Sequence, residues 1–110
     1  MLVDTGMTEL IRPMLYEAFH RIVAVTPRPG DQGPCEVVGP LCETSDTLGH
    51  DRRFGPVEVG DLIAVLDTGA YGFVMSSNYN SKPLAAEVLI QNGKAEIIRK
   101  RQTFEDIIQG

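Results

Sequence analysis

Cys42 and Glu43 are the residues whose types and spacing most directly suggest chemistry. They sit side by side in Gly39-Pro40-Leu41-Cys42-Glu43-Thr44-Ser45-Asp46, a stretch that its Gly-Pro pair opens as a turn. A carboxylate beside a thiol disfavours the thiolate, so the sulfur is expected to keep its proton near neutral pH. A protonated thiol is a poor nucleophile and a poor metal ligand, but it can donate a proton. Composition and spacing alone favour a different reading, a buried structural cysteine. His20 and His50 lack partner ligands at metal-site spacing, so no metal is assigned, and His20 is read as serving a strand and its hydrogen bonds.

The elements that must position these residues belong to one small domain of 110 residues. Hydrophobic residues make up 43% and charged residues 23%, which is ordinary for a globular chain. A net charge of -5 argues against a nucleic-acid partner, because phosphate contacts need a basic surface. The short basic cluster Arg99-Lys100-Arg101 reads as a solvated strand end. No apolar run is long enough to span a bilayer, and Asp4 and Glu9 interrupt any signal-peptide pattern. Two cysteines do not make a disulfide scaffold; a Cys35–Cys42 bridge stays open, and a reduced cytoplasmic protein is the simpler reading.

Residues 8 to 18 start at Thr8, a candidate helix cap, and place Leu10, Met14 and Ala18 on one face. Pro13 requires any helix here to be short or to start late. Residues 19 to 26 are rich in β-branched types and predict a strand. Residues 27 to 34 form a breaker-rich, mobile loop, and Cys35 to Val38 can pair back as a short strand. Residues 44 to 61 read as polar and turn-rich. Leu62 to Leu66 is a continuous apolar run, consistent with a strand buried on both faces, and Ala70 to Met75 can form one helical turn.

Asn92-Gly93 is the favoured pair of a two-residue type I′ turn. It predicts a hairpin pairing Gln91 with Lys94, Ile90 with Ala95, Leu89 with Glu96 and Val88 with Ile97, with Val88, Ile90, Ala95 and Ile97 on one apolar face. Thr103 and Asp106 form a capping pair for a short C-terminal helix. The expected fold class is mainly β, an antiparallel sandwich or barrel-like sheet with short helices at its edges.

Five segments together resemble the C-terminal part of the diaminopimelate decarboxylase family of fold-type III pyridoxal-phosphate enzymes. They are Asp4-Thr5-Gly6-Met7; Arg12-Pro13-Met14-Leu15-Tyr16 with Ala18 and His20; Gly39-Pro40-Leu41-Cys42-Glu43; Gly60-Asp61 leading to Gly69-Ala70-Tyr71-Gly72; and Ser76-Ser77-Asn78-Tyr79-Asn80. They occur in the family's order. The resemblance implies an N-terminal α/β barrel that holds pyridoxal 5'-phosphate through a lysine, and a C-terminal β-domain that completes the site within a homodimer. It makes residues 1–110 a single C-terminal β-domain, with residues 1–18 at the junction with a barrel absent from this chain. None of Lys82, Lys94 and Lys100 resembles the Schiff-base lysine, and no glycine-rich phosphate loop is present, so the chain alone is expected to be inactive.

The resemblance also implies roles. Cys42 becomes the proton donor, supplied across the dimer interface, and the Gly-Pro-Leu-Cys-Glu context reverses the preference for a structural cysteine. Glu43 matches the partner of the substrate's distal ammonium. Arg12 matches the partner of its distal carboxylate, where a planar guanidinium bonds in bidentate fashion. Tyr16, four residues on, points the same way on a helical turn and matches a substrate contact. Tyr71 matches a tyrosine touching cofactor and substrate, with flanking glycines that allow close backbone approach. Without the resemblance, Arg12 and Tyr16 read as a surface pair and Tyr71 as a packed corner aromatic. Tyr79 and Asp46 read as structural or interface residues. The substrate implied is meso-diaminopimelate, decarboxylated to L-lysine. The related ornithine, arginine and carboxynorspermidine decarboxylases and a non-catalytic β association module are the alternatives. Enzymes that make simple diamines resemble this motif with an aspartate after the cysteine.

Overall fold

The computed structural model describes residues 1–109. The described residues are mainly β, with two short helices. Helix α1 spans Arg12–Tyr16 and is followed by β1 (Ile22–Ala24), β2 (Cys35–Val38), β3 (Thr47–Arg52) and β4 (Ile63–Val65). After two 3-10 turns, Phe73–Met75 and Tyr79–Ser81, come β5 (Glu87–Gln91), β6 (Lys94–Arg99) and helix α2 (Phe104–Ile108). The strands form three antiparallel ribbons, β1 with β4, β2 with β3, and β5 with β6. The first residues run parallel to β2, with Val38 N–H donating to Met1 O at 2.9 Å and Val3 N–H to Val38 O at 3.0 Å.

Helix α1 is short and starts late, as expected, with Pro13 in its first turn, where its fixed φ and missing N–H are tolerated. Thr8 is not the cap expected; it is buried, and its hydroxyl donates to Glu9 at 2.9 Å. The core is Leu10, Ile22, Val37 and Leu48, with Val3, Cys35, Phe54, Ile63 and Val65 packed around it. It lies between the chain ahead of α1 and the first two ribbons. His20 is buried beside it, with Nδ1 at 3.0 Å from Leu66 O, in the strand-supporting place expected of it.

Two expectations change. Residues 44 to 61 contain β3, whose Leu48 is one of the most buried side chains. The run at residues 62 to 66 is not buried on both faces: β4 is half-buried and Leu62 exposed, because β1 is its one strand partner. The loop over 27 to 34 carries polar ties to residues 53 to 61. The Arg28 guanidinium donates to Asp61 at 2.8 and 2.9 Å, Arg53 pairs with Asp31 at 2.9 Å, and Gln32 accepts from the Val57 amide.

The hairpin has the register expected from its turn, residue for residue from Gln91–Lys94 to Val88–Ile97. Asn92 (φ 52°) and Gly93 (φ 72°) both adopt the left-handed conformation that a type I′ turn requires. Its apolar face is not buried within this chain: Val88, Ile90 and Ile97 are all exposed. Helix α2 opens with the Thr103–Asp106 capping box.

Candidate functional site

The turn that carries Cys42 and Glu43 is built around Asp46. This carboxylate is 3% exposed, accepting the Met7 N–H at 2.7 Å through Oδ1 and the Leu41 N–H at 3.0 Å through Oδ2. Backbone bonds close the turn on both sides, from Gly39 N–H to Asp46 O at 2.8 Å and from Asp46 N–H to Glu43 O at 3.1 Å. One buried anion thus ties residues 39 to 46 to the Asp4-Thr5-Gly6-Met7 segment. It also explains two glycines of those motifs. A Cβ at Gly6 would lie 2.6 Å from the Asp46 carboxylate, and one at Gly39 2.3 Å from it.

Cys42 and Glu43 are exposed on the outside of this turn and face the second 3-10 turn. The Tyr79 phenol donates to Glu43 Oε1, and the Asn80 side-chain amide donates to Cys42 Sγ at 3.4 Å. The hydrogen bond to Glu43, followed by the charge of that carboxylate, holds the Tyr79 phenol above its ordinary pKa. Cys35 and Cys42 are both free thiols, so no bridge joins them.

Tyr79 and Asn80 are themselves anchored to the start of the chain. Ser77 N–H donates to Thr8 O at 3.0 Å, and Lys82 Nζ reaches Asp4 O at 2.8 Å and Glu9 at 2.9 Å. Burial alone would raise the Glu9 pKa. The Gly6 amide, Lys82 and Thr8 outweigh it and hold the carboxyl below its ordinary value.

Arg12, Tyr16 and Tyr71 form a second cluster. The Arg12 guanidinium lies 5.7 Å from the ring centre of Tyr16 and 5.7 Å from that of Tyr71, within cation–π range. Helix α1 therefore brings Arg12 and Tyr16 together as their spacing predicts, and the fold adds Tyr71. Tyr71 has φ 66°, a rare conformation for a bulky residue and one found at ligand sites. Of its flanking glycines, Gly72 makes the close approach: its N–H meets Thr68 O at 3.1 Å, and a Cβ there would fall 2.1 Å from the same oxygen. Gly69 has open space around it.

The hydrogen bonds of Cys42 and Glu43 go to Tyr79 and Asn80, and the arginine stacking goes to Tyr16 and Tyr71. The site residues are thus brought together as two groups, each with an exposed working end. One offers a thiol and an anion; the other offers a cation framed by phenols. Tyr79 and Asn80 lie in the Ser-Ser-Asn-Tyr-Asn segment noted in the sequence, but their contacts with Glu43 and Cys42 span 36 and 38 residues and have no local signature. Among the described residues, no cluster of three metal-ligating side chains occurs, and no helix is long and apolar enough to cross a membrane.

Residues 1–69 match the family model described as pyridoxal-dependent decarboxylase, C-terminal sheet domain. The chain is 47% identical over 108 residues to the diaminopimelate decarboxylase of Aquifex aeolicus, covering 98% of this chain and 26% of that relative. It is 48% identical over 110 residues to that of Archaeoglobus fulgidus, covering 97% of this chain and 26% of the relative. The chain thus spans about a quarter of the length of the curated relatives it matches. Its fold superposes on a crystal structure of an Aquifex aeolicus protein with a TM-score of 0.94 at 47% identity, over 99% of this chain and 27% of that one. Diaminopimelate decarboxylase from Helicobacter pylori, solved with L-lysine, gives a TM-score of 0.89 at 45% identity, over 96% of this chain and 26% of that one.

Proposed function

This chain belongs to the family of C-terminal sheet domains of pyridoxal-dependent decarboxylases, and from that premise we propose that it completes the active site of a diaminopimelate decarboxylase, which converts meso-diaminopimelate to L-lysine. The observation that carries the reading is the pair of opposite recognition groups. Glu43 presents an anion beside Cys42, and Arg12 presents a cation held over Tyr16 and Tyr71. The distal end of meso-diaminopimelate carries an ammonium and a carboxylate, so it needs one of each. Relatives named for this reaction, one of them solved with its lysine product, support the assignment.

When bound, pyridoxal 5'-phosphate supplies the electron sink that lets carbon dioxide leave the α-carbon. Tyr71, whose phenol is exposed beside Arg12, is the residue of this chain that suits contact with the cofactor's edge. Lys82 is engaged by Glu9 and Asp4, and Lys94 and Lys100 lie on or beside the exposed hairpin. The cofactor-bonding lysine is therefore assigned to the part of the relatives that this chain does not span, the α/β barrel. Glu43 pairs with the distal ammonium, Arg12 binds the distal carboxylate, and Tyr16 lines the same subsite. Cys42 donates its proton to the α-carbon.

Two separate clusters suit a homodimer in which the turn of one subunit, with Cys42 and Glu43, enters the pocket of the other. In this assembly residues 1–110 act as one C-terminal β-domain, with residues 1–18 at the barrel junction. Free thiols at Cys35 and Cys42 suit a reducing, cytoplasmic setting.

The test joins this chain to the barrel and measures cofactor-dependent carbon dioxide release from meso-diaminopimelate and from ornithine. Turnover of meso-diaminopimelate that Arg12→Ala selectively removes is expected. Preference for ornithine would move the assignment to a diamine-forming enzyme. Association without turnover would make the chain a non-catalytic module.

A further inference from the structure

We propose that Asn80 is a positioning residue for the Cys42 thiol: its side-chain amide fixes the sulfur and steadies the thiolate that remains once the proton has been given up. This rests on the reading of Cys42 as a proton donor and extends it to a group that the motif comparison leaves without a role.

The geometry is a two-residue match. Consecutive residues Tyr79 and Asn80 bond consecutive residues Glu43 and Cys42 in reverse order, phenol to carboxylate and amide to sulfur. Such a pairing holds both groups of the turn in fixed relation. Asn80 and Ser81 each have φ 58°, so the backbone makes two left-handed steps in a row where the amide reaches the sulfur. Non-glycine residues rarely accept that conformation, and asparagine is among the few that do so readily. Such strain persists where the surroundings impose it. Here Ser77 is held by Thr8 O, Lys82 by Glu9 and Asp4 O, and the Asn78 amide donates to Lys82 O at 2.9 Å. The same N-terminal segment is bonded to Asp46 under the thiol's own turn. The amide and the sulfur are therefore fixed from a common base.

Chemistry gives the contact its use. When Cys42 protonates the substrate, its S–H bond breaks and the electron pair stays on sulfur. The proton goes to the α-carbon, whose own electron pair forms the new C–H bond. The sulfur then carries a full negative charge beside the carboxylate of Glu43, an unfavourable neighbour. An N–H···S bond strengthens when the acceptor becomes charged, so the Asn80 amide favours the product side of the transfer. Tyr79 acts on the neighbouring charge, drawing Glu43 into a hydrogen bond. Cys42 regains its proton from water once the product has left.

The experiment reads the thiol itself and needs neither cofactor nor substrate. Alkylation of Cys42 by iodoacetamide is followed against pH, by peptide mass spectrometry to separate it from Cys35, in the 110-residue chain and in Asn80→Gly and Asn80→Asp. Glycine removes the amide while keeping the left-handed backbone free of strain, and aspartate tolerates that backbone but replaces the donor with an anion. Asn80→Gly is expected to react about threefold more slowly near neutral pH, with the deficit closing in alkaline solution where the thiol is fully ionised. Asn80→Asp should be slower still. A loosened turn would instead raise the rate at every pH, and unchanged or faster alkylation of Asn80→Gly at neutral pH overturns the proposal. If these shifts appear while the joined enzyme leaves meso-diaminopimelate untouched, the assigned reaction fails and the amide–sulfur coupling stands.

Discussion

The turn at residues 39 to 46 and the hairpin at residues 87 to 99 are both tight reversals, but they are held in opposite ways. The hairpin is local. Asn92 and Gly93 supply the two left-handed residues, the ladder follows from them, and the side chains of β5 and β6 are exposed almost throughout. The Cys42 turn is held from a distance, by an anion that reaches 39 residues back to the Met7 amide. One geometry is written in neighbouring residues; the other exists once the fold has brought two segments onto one carboxylate. A catalytic group gains from the second arrangement, because a turn fixed from below can leave its outward residues free to meet a substrate.

Asp46→Ala should break the distinction most severely. It leaves the Met7 and Leu41 amides without their acceptor in a buried place, at a cost of about 3 kcal/mol, read as a lower urea midpoint. Gly39→Ala comes next, at about 2 kcal/mol, since its Cβ would lie 2.3 Å from Asp46 Oδ2. The two changes should be far from additive, because without the Asp46 carboxylate the new methyl has room. Additive losses in that double-mutant cycle would mean that the glycine is there for another reason.

At the hairpin the effects should be smaller and local. Gly93→Ala places a Cβ at φ 72° and should cost about 1 kcal/mol. Amide exchange should quicken in β5 and β6 while the bonds of Met7 and Leu41 to Asp46 stay protected. A loss of protection at both regions together would show that the hairpin and the turn form one cooperative unit.

The contrast also explains what the sequence disclosed. The hairpin register, the Thr103–Asp106 cap and the pairing of Arg12 with Tyr16 are readable because their partners lie within a few residues. Strand β3 is not: in Thr47-Leu48-Gly49-His50-Asp51-Arg52, Leu48 is the one strongly apolar residue, and the Arg52 side chain folds over Gly49. Asp46 and Asn80 were each present in a recognisable motif, but their work is done across a turn to residues far away in sequence. Burial was the least legible property. The hairpin's alternation of apolar residues promised a covered face, and among the described residues nothing covers it. Periodicity says which side chains share a face, not what meets that face.

Asp61 is the half-buried counterpart of Asp46, and its removal should have the smallest effect. It accepts two hydrogen bonds from Arg28 and one from the Glu58 amide at 2.9 Å, and together these hold its carboxyl at about 2 against an ordinary 3.8. A depressed value means that the folded state prefers the ionised form. The contribution is therefore complete above pH 3.8 and is lost as the pH falls through about 2. Asp61→Asn should remove that stretch of acid sensitivity from the urea midpoint and leave the midpoint near neutral pH almost unchanged. Its pairs lie in solvent, so added salt should shrink even this difference. Asp46→Asn should instead lower the midpoint near neutral pH, because its amide keeps one acceptor oxygen and sets an NH2 group against the other backbone N–H in a buried place. An Asp61→Asn loss as large as that of Asp46→Asn would place the 27–34 tether, and not the buried carboxylate, at the foundation of the domain.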